Sequence, residues 1–233
     1  MDAKRWPRPS GEDVKTTRGS SGRLSELLVA DPPLWAAWVL LGRLGSKAKS
    51  AIAGRLLRAP GLYLGPGCVI RGSRFIRFGR RVYAHGHLWL EAVSEYRGQR
   101  FSPRIEIGDG VSFSEGVHIS SIERISIGER VLFGSRVYVS DHNHGLYKGP
   151  GQSSPEEPPA ERALGGGGAV EIGDNAWIGD NVVIVGPLRI GRGSIIGANS
   201  VVRADVPDST MAAGVPARPL RRFDALSGAW GKL

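Results

Sequence analysis

The sequence predicts a mainly β protein: a parallel β-solenoid of about four to five coils, with an N-terminal helical appendage and one long extruded loop. Three observations carry this reading. Aliphatic residues recur at every sixth position in Ile172, Ile178, Ile184, Ile190, Ile196 and Val202. Glycine follows four of them, at Gly173, Gly179, Gly191 and Gly197. The 233 residues include 34 glycines without a Gly-X-Y period, which calls for many tight turns and excludes a collagen-like chain.

A strict six fits neither the helical period of 3.6 nor the strand period of 2. It fits a short flat strand and a turn, repeated, with three such faces making one coil. The aliphatic residue points inward and glycine relieves the corner. Four residues after each aliphatic stand Ala176, Val182, Leu188, Ser194, Ser200 and Val206, mostly small or β-branched. Upstream the same grammar runs with slips. Ile107, Phe113 and Ile119 are in phase, and Ile127, Phe133 and Val139 resume it. Leu64, Ile70 and Phe78 mark an earlier coil. Residues 62–220 form the solenoid, 1–22 a polar flexible tail, 23–61 the appendage and 221–233 a C-terminal extension.

Composition sets the broad class. The chain is 41% hydrophobic, enough for a core, and carries a formal net charge of +9. Its positive residues are spread along the chain without an aromatic-plus-basic run, so no nucleic-acid partner is expected. One cysteine, Cys68, excludes an internal disulfide framework and fits a reducing, cytoplasmic compartment. No run approaches the roughly 18 apolar residues of a spanning helix.

Residues 141–169 have no hexad phase and form an external loop, of the length that is usually functional or disordered. Its root is SDHNHG, from Ser140 to Gly145, with two of the chain's five histidines. Exposed turn residues would explain such a string without any chemistry. A rigid scaffold beneath it can also hold a base in place.

The hexads, with NAWIGDNVVI, IGANSVV and AAGVPAR, resemble the hexapeptide-repeat acyltransferases, in particular their sugar and polysaccharide O-acetyltransferase branch. The resemblance implies a left-handed parallel β-helix, a homotrimer with active sites between prisms, acetyl-CoA as donor and a saccharide acceptor. In similar enzymes the catalytic histidine lies five residues after the last inward aliphatic. Counted from Val139 that is His144, with His142 as the alternative. An imidazole can take the proton of an attacking sugar hydroxyl if its other nitrogen is held. Asp141 and Glu123 are candidates to orient the base or to bind the acceptor, and Ser120 is a further acceptor-side candidate.

The donor residues come from the same resemblance. Trp177 matches a tryptophan beside the pantetheine, with Gly179 and Asp180 next to it. Gly197 and Ala198 would offer backbone groups to the pantetheine amides. Arg203 and Arg218 would meet the nucleotide end, where a guanidinium suits phosphate oxygens. No metal is expected: His-x-His occurs twice, but the spacing of the zinc-dependent β-helix enzymes is missing. A non-catalytic trimeric scaffold is the second class of function that the repeat allows, and a zinc-dependent enzyme resembling the carbonic anhydrases of this fold is the third.

Within the appendage, Pro32 and Pro33 divide one or two helices, and an apolar stretch with Trp35 and Trp38 precedes a basic run. From Gly42 to Arg58 there are five basic residues and no acid. A helical cap on the solenoid end and a segment lying on an anionic membrane both fit, and they are compatible.

Overall fold

A computed structural model describes residues 32–233. The chain divides into two units, residues 1–42 and 43–233. The tail expected over 1–22 and the start of the appendage, through residue 31, lie outside the described residues. The rest of the appendage is one helix, Pro33–Leu56. It opens on a proline, whose missing N–H costs nothing in a first turn.

The solenoid has three faces of parallel strands. The first holds Tyr63–Leu64, Tyr83–Gly86, Ser112–Glu115, Leu132–Phe133, Trp177–Ile178, Ile195–Ile196 and Thr210–Gly214. The second holds Val69–Arg71, Trp89–Ala92, His118–Ser121, Tyr138–Ser140, Val183–Val185 and Val201–Val202. The third holds Ile76–Phe78, Arg104–Ile107, Arg124–Ile127, Ala169–Ile172 and Leu188–Ile190. With six levels on the second face, the stack is deeper than the four to five coils that the hexads predict. The added level lies between Phe78 and Ile107, where Tyr83–Gly86 and Trp89–Ala92 turn Ala84 and Leu90 inward.

Register explains the period. On the first face Phe113, Phe133, Ile178, Ile196 and Ala212 stand directly above one another, all buried. The Phe113 and Phe133 rings stack at 5.0 Å. Every hexad aliphatic from Ile172 to Val202 is buried, and so is every residue four places on. Each such aliphatic contributes about 1.5–3 kcal/mol by leaving water. The two serines in that second column are satisfied: Ser194 Oγ donates to Pro207 O (2.8 Å) and Ser200 Oγ to Gly197 O (2.6 Å).

Corners are equally constrained. A Cβ on Gly179 would lie 2.6 Å from Ala198 N, a backbone atom of the next coil that cannot step aside. Gly179→Ala is therefore expected to destabilise the fold by about 1–3 kcal/mol, measured by urea denaturation. An aspartate two residues past the inward aliphatic pins neighbouring corners. Asp109, Asp174 and Asp180 accept from the N–H of Arg80 (2.7 Å), Glu129 (2.8 Å) and Ser135 (2.6 Å).

Three features depart from the hexads. A hairpin of Glu95–Tyr96 and Gln99–Arg100 leaves the solenoid after the second face. The 141–169 loop starts and ends in a second hairpin, His142–His144 against Leu164–Gly166. At the C-terminus, Ala217–Asp224 and Ala229–Lys232 add two antiparallel strands to the first face, so the extension begins before residue 221 and is folded. At the other end Ser50 Oγ, on the helix, accepts from Leu64 N at 2.8 Å. The helix thus covers the first strand, as a cap.

The outward surfaces differ in character. The first face presents Tyr63, Tyr83, Leu132, Trp177, Ile195 and Met211, and the second Val69, Trp89, His118, Tyr138, Val183 and Val201. The third presents Arg77, Glu106, Ser126, Glu171 and Arg189. The outward row of the third is mainly charged, while the second face also carries the ion pair Arg71–Glu91 at 3.6 Å and the first carries Glu115.

Candidate active site

Asp141 follows the second-face strand Tyr138–Ser140 and is buried at the corner. Its carboxylate accepts from Ser121 Oγ (2.6 Å) and from the N–H groups of Ile122 (2.9 Å), Glu123 (3.0 Å) and Arg124 (2.9 Å), one coil below. His142 Nδ1 lies 2.9 Å from the same carboxylate. Burial by itself would raise the pKa of Asp141. The hydrogen bonds from His142, Ser121 and the backbone outweigh it and hold the group below the usual carboxylate range. Of the two histidines, the aspartate therefore orients His142, whose side chain is largely covered. Glu123 is used differently: its Oε2 accepts from Gly168 N at 2.5 Å and fastens the returning end of the loop. Ser120 is buried on the second face, level with Ser140.

His144 is exposed, two residues further on. Tyr96, from the unforeseen hairpin, meets it edge-on, with ring centroids 5.4 Å apart. The Tyr96 hydroxyl donates to Ala160 O at 2.6 Å, which leaves its oxygen as acceptor for Nδ1–H of His144 at 3.4 Å. In the neutral ring that order of donors puts the proton on Nδ1 and the lone pair on Nε2, the atom that can take a proton. Gln99, on the same hairpin, accepts from Leu164 N at 2.7 Å and so holds the loop root from the other side. Nothing in the hexad pattern marked Tyr96. The only signal was the missing phase between Leu90 and Ile105.

His85 and His87 stand by the first-face strand Tyr83–Gly86, whereas His118 is near enough to His142 for their charges to interact. His118 lies between Trp89 and Tyr138, with centroids at 5.5 and 5.2 Å, and burial lowers its pKa. His85 and His87 flank Glu115 and hold its carboxyl below the usual range, His87 the more strongly. Among the described residues no cluster of three or more His, Cys, Asp or Glu could hold a metal ion.

The donor-side candidates gather on another edge. Trp177 is half exposed on the first face, and the chain turns the corner at Gly179 and Asp180. Gly179 packs on Ala198 of the next coil, and Gly197 on Ala213, which pairs with Arg218. Arg218 and Arg203 are exposed. Two of the candidates are engaged within the fold. Asp180 accepts from Ser135 N–H, and Gly197 donates its N–H to Ala212 O at 2.9 Å and accepts from Ser200 Oγ. Trp177, Ala198 and Arg218 remain together along one edge, with Gly179 beneath them. The histidines stand on the edge after the second face, so a full face of the prism separates the two groups within one chain.

The family model described as bacterial transferase hexapeptide (six repeats) matches residues 169–204. WbbJ of Escherichia coli (strain K12), named as a lipopolysaccharide biosynthesis O-acetyl transferase, is 38% identical over 179 residues, 76% of this chain and 84% of that protein. The chain belongs to the hexapeptide-repeat transferase family. This hexapeptide-repeat transferase is also 47% identical to the galactoside O-acetyltransferase of Escherichia coli (strain K12) over 55 residues, 24% of this chain and 27% of that one. AntD, an N-acyltransferase from Bacillus cereus, shares the fold. Its TM-score is 0.57 at 19% identity, covering 70% of this chain and 80% of the other. The fold of this transferase is accordingly the left-handed parallel β-helix, the hand that ordinary crossover geometry disfavours.

Proposed function

We propose that this transferase moves an acetyl group from acetyl-CoA to a hydroxyl of a saccharide, with His144 as the general base. The observation that carries the assignment is the exposed imidazole of His144, whose Nδ1 is held by Tyr96 while Nε2 is left able to accept. Nε2 takes the hydroxyl proton as the sugar oxygen bonds to the thioester carbonyl carbon. The tetrahedral intermediate then expels CoA as the C–S bond breaks, and the imidazolium returns the proton to the sulfur. The names of WbbJ and the galactoside enzyme support an O-linked product and a saccharide acceptor.

A homotrimer is part of this reading. The separation of His144 from Trp177, Ala198 and Arg218 by one face supports a site completed by a neighbouring chain. So do the exposed Leu132 and Trp177 on the first face and Trp89 on the second. The location we infer is the inner surface of the cell membrane, where a lipid-linked glycan would be met. A second reading takes His142 as the base, favoured by its contact with Asp141; the covered position of its ring favours His144.

Calorimetric titration with acetyl-CoA tests the donor half without knowledge of the acceptor. The wild type is expected to bind, and Arg218→Ala to weaken binding by roughly 10- to 100-fold, the worth of a charge-assisted hydrogen bond. A wild type that does not bind acetyl-CoA would sink the transferase reading in favour of a scaffold.

A further inference from the structure

The cap helix packs the wrong way round for a cap alone. Its covered side is made of Ser46, Ser50, Ala53 and Leu57, small or polar except for the last. Its outer side is aliphatic: Leu44, Ile52 and Leu56 are 61%, 63% and 78% exposed. At about 100° per residue, Leu44, Ala48, Ile52 and Leu56 wind over a sector of roughly 120°, centred opposite the packed serines. A surface helix that only closed the solenoid would turn its aliphatics inward and its serines out. Cations border the stripe. Lys49 lies on one side, Lys47 on the other and Arg55 beside it, with Arg58 in the turn just past the helix, all exposed.

We propose that this face lies on an anionic lipid surface. Leu44, Ile52 and Leu56 enter the headgroup–acyl boundary, and the flanking Lys47, Lys49, Arg55 and Arg58 meet the lipid phosphates. Charge selects this occupant. Arg43 to Arg58 contains five cations and no anion, so a second copy of the same helix would bring like charge against like. Among the described residues no helix is long and apolar enough to cross a membrane, so the helix lies in the interface plane. The inference deepens the location proposed above and rests on that reading of the cell surface, not on its chemistry.

The test is sedimentation of the full chain with phosphatidylglycerol–phosphatidylcholine vesicles, against phosphatidylcholine alone. Binding is expected only with the anionic vesicles and is expected to weaken as salt rises. Lys47→Glu should lower the partition constant at least fivefold, since each cation at such a surface contributes about that factor. Ile52→Asp with Leu56→Asp should lower it at least tenfold. The doubly substituted chain should keep its acetyl-CoA affinity and its mass by light scattering, because both side chains point away from the core. Three results would overturn the proposal: no binding to anionic vesicles, equal binding to neutral ones, or full binding by the double variant. A change of mass in that variant would assign the stripe to a contact between subunits instead. Acetyl-CoA titration of the same samples separates failure of the membrane surface from failure of the transferase reading.

Discussion

His144→Ala is expected to lower kcat by roughly a hundred- to ten-thousand-fold, the range that a positioned general base contributes. Its acetyl-CoA dissociation constant should move little, because the base acts on the acceptor hydroxyl and makes its contribution in the transition state. The measurement is thiol release from acetyl-CoA with saccharide acceptors, beside calorimetry on the same protein. Tyr96 acts through the histidine. Tyr96→Phe keeps the ring against His144 and removes only the oxygen that receives Nδ1–H. It should lower kcat by about tenfold and raise neither KM nor the donor Kd, the pattern of an interaction made only in the transition state. His142→Ala supplies the contrast. If it abolishes turnover with the fold intact while His144→Ala retains it, the base is His142.

Asp141→Ala is expected to be the most destabilising single change in the site, by about 3–5 kcal/mol in urea denaturation. The carboxylate gathers one hydroxyl, three backbone N–H groups and an imidazole at a buried corner. Removing it strands all of them, and each stranded buried donor costs about 1–3 kcal/mol. The effect depends on pH in a defined direction. The folded pKa lies below the ordinary value, so the unfolded chain takes up this proton first as pH falls. The contribution is complete above about pH 4 and disappears as pH drops through the lower folded value. Wild type should therefore lose stability over that interval more steeply than Asp141→Ala, which has no such group to protonate.

How much of this could be read from the residues depends on what each element answers to. Ile172 to Val202 each face their own copy one coil away, so a column in space is a period in the chain. The buried serines 194 and 200 obey the same count, which is why small residues stand where an ordinary strand would place aliphatics. The histidines could be located because a loop must leave the scaffold at a fixed corner. Tyr96 could not, since its contact with His144 joins residues 48 apart through two excursions without period. The last two strands, Ala217–Asp224 and Ala229–Lys232, are almost wholly exposed, so no alternation of apolar and polar residues announces them. Asp180 shows the opposite hazard. Its place in NAWIGD invites a role at the acyl group, yet Asp109 and Asp174 make the same corner contact elsewhere in the stack.

A stack of parallel strands has two open ends, and each is a template on which further chains could add without limit. On the first face both ends are occupied by other elements. At the start, Leu64 N–H is already bonded to Ser50 of the helix. At the finish, Ala217–Asp224 turns back antiparallel to Thr210–Gly214 and Ala229–Lys232 turns again against it, so the first face ends in a hairpin that continues no coil. On that face, growth into a fibre would have to displace two unrelated elements, a helix at one end and a hairpin at the other.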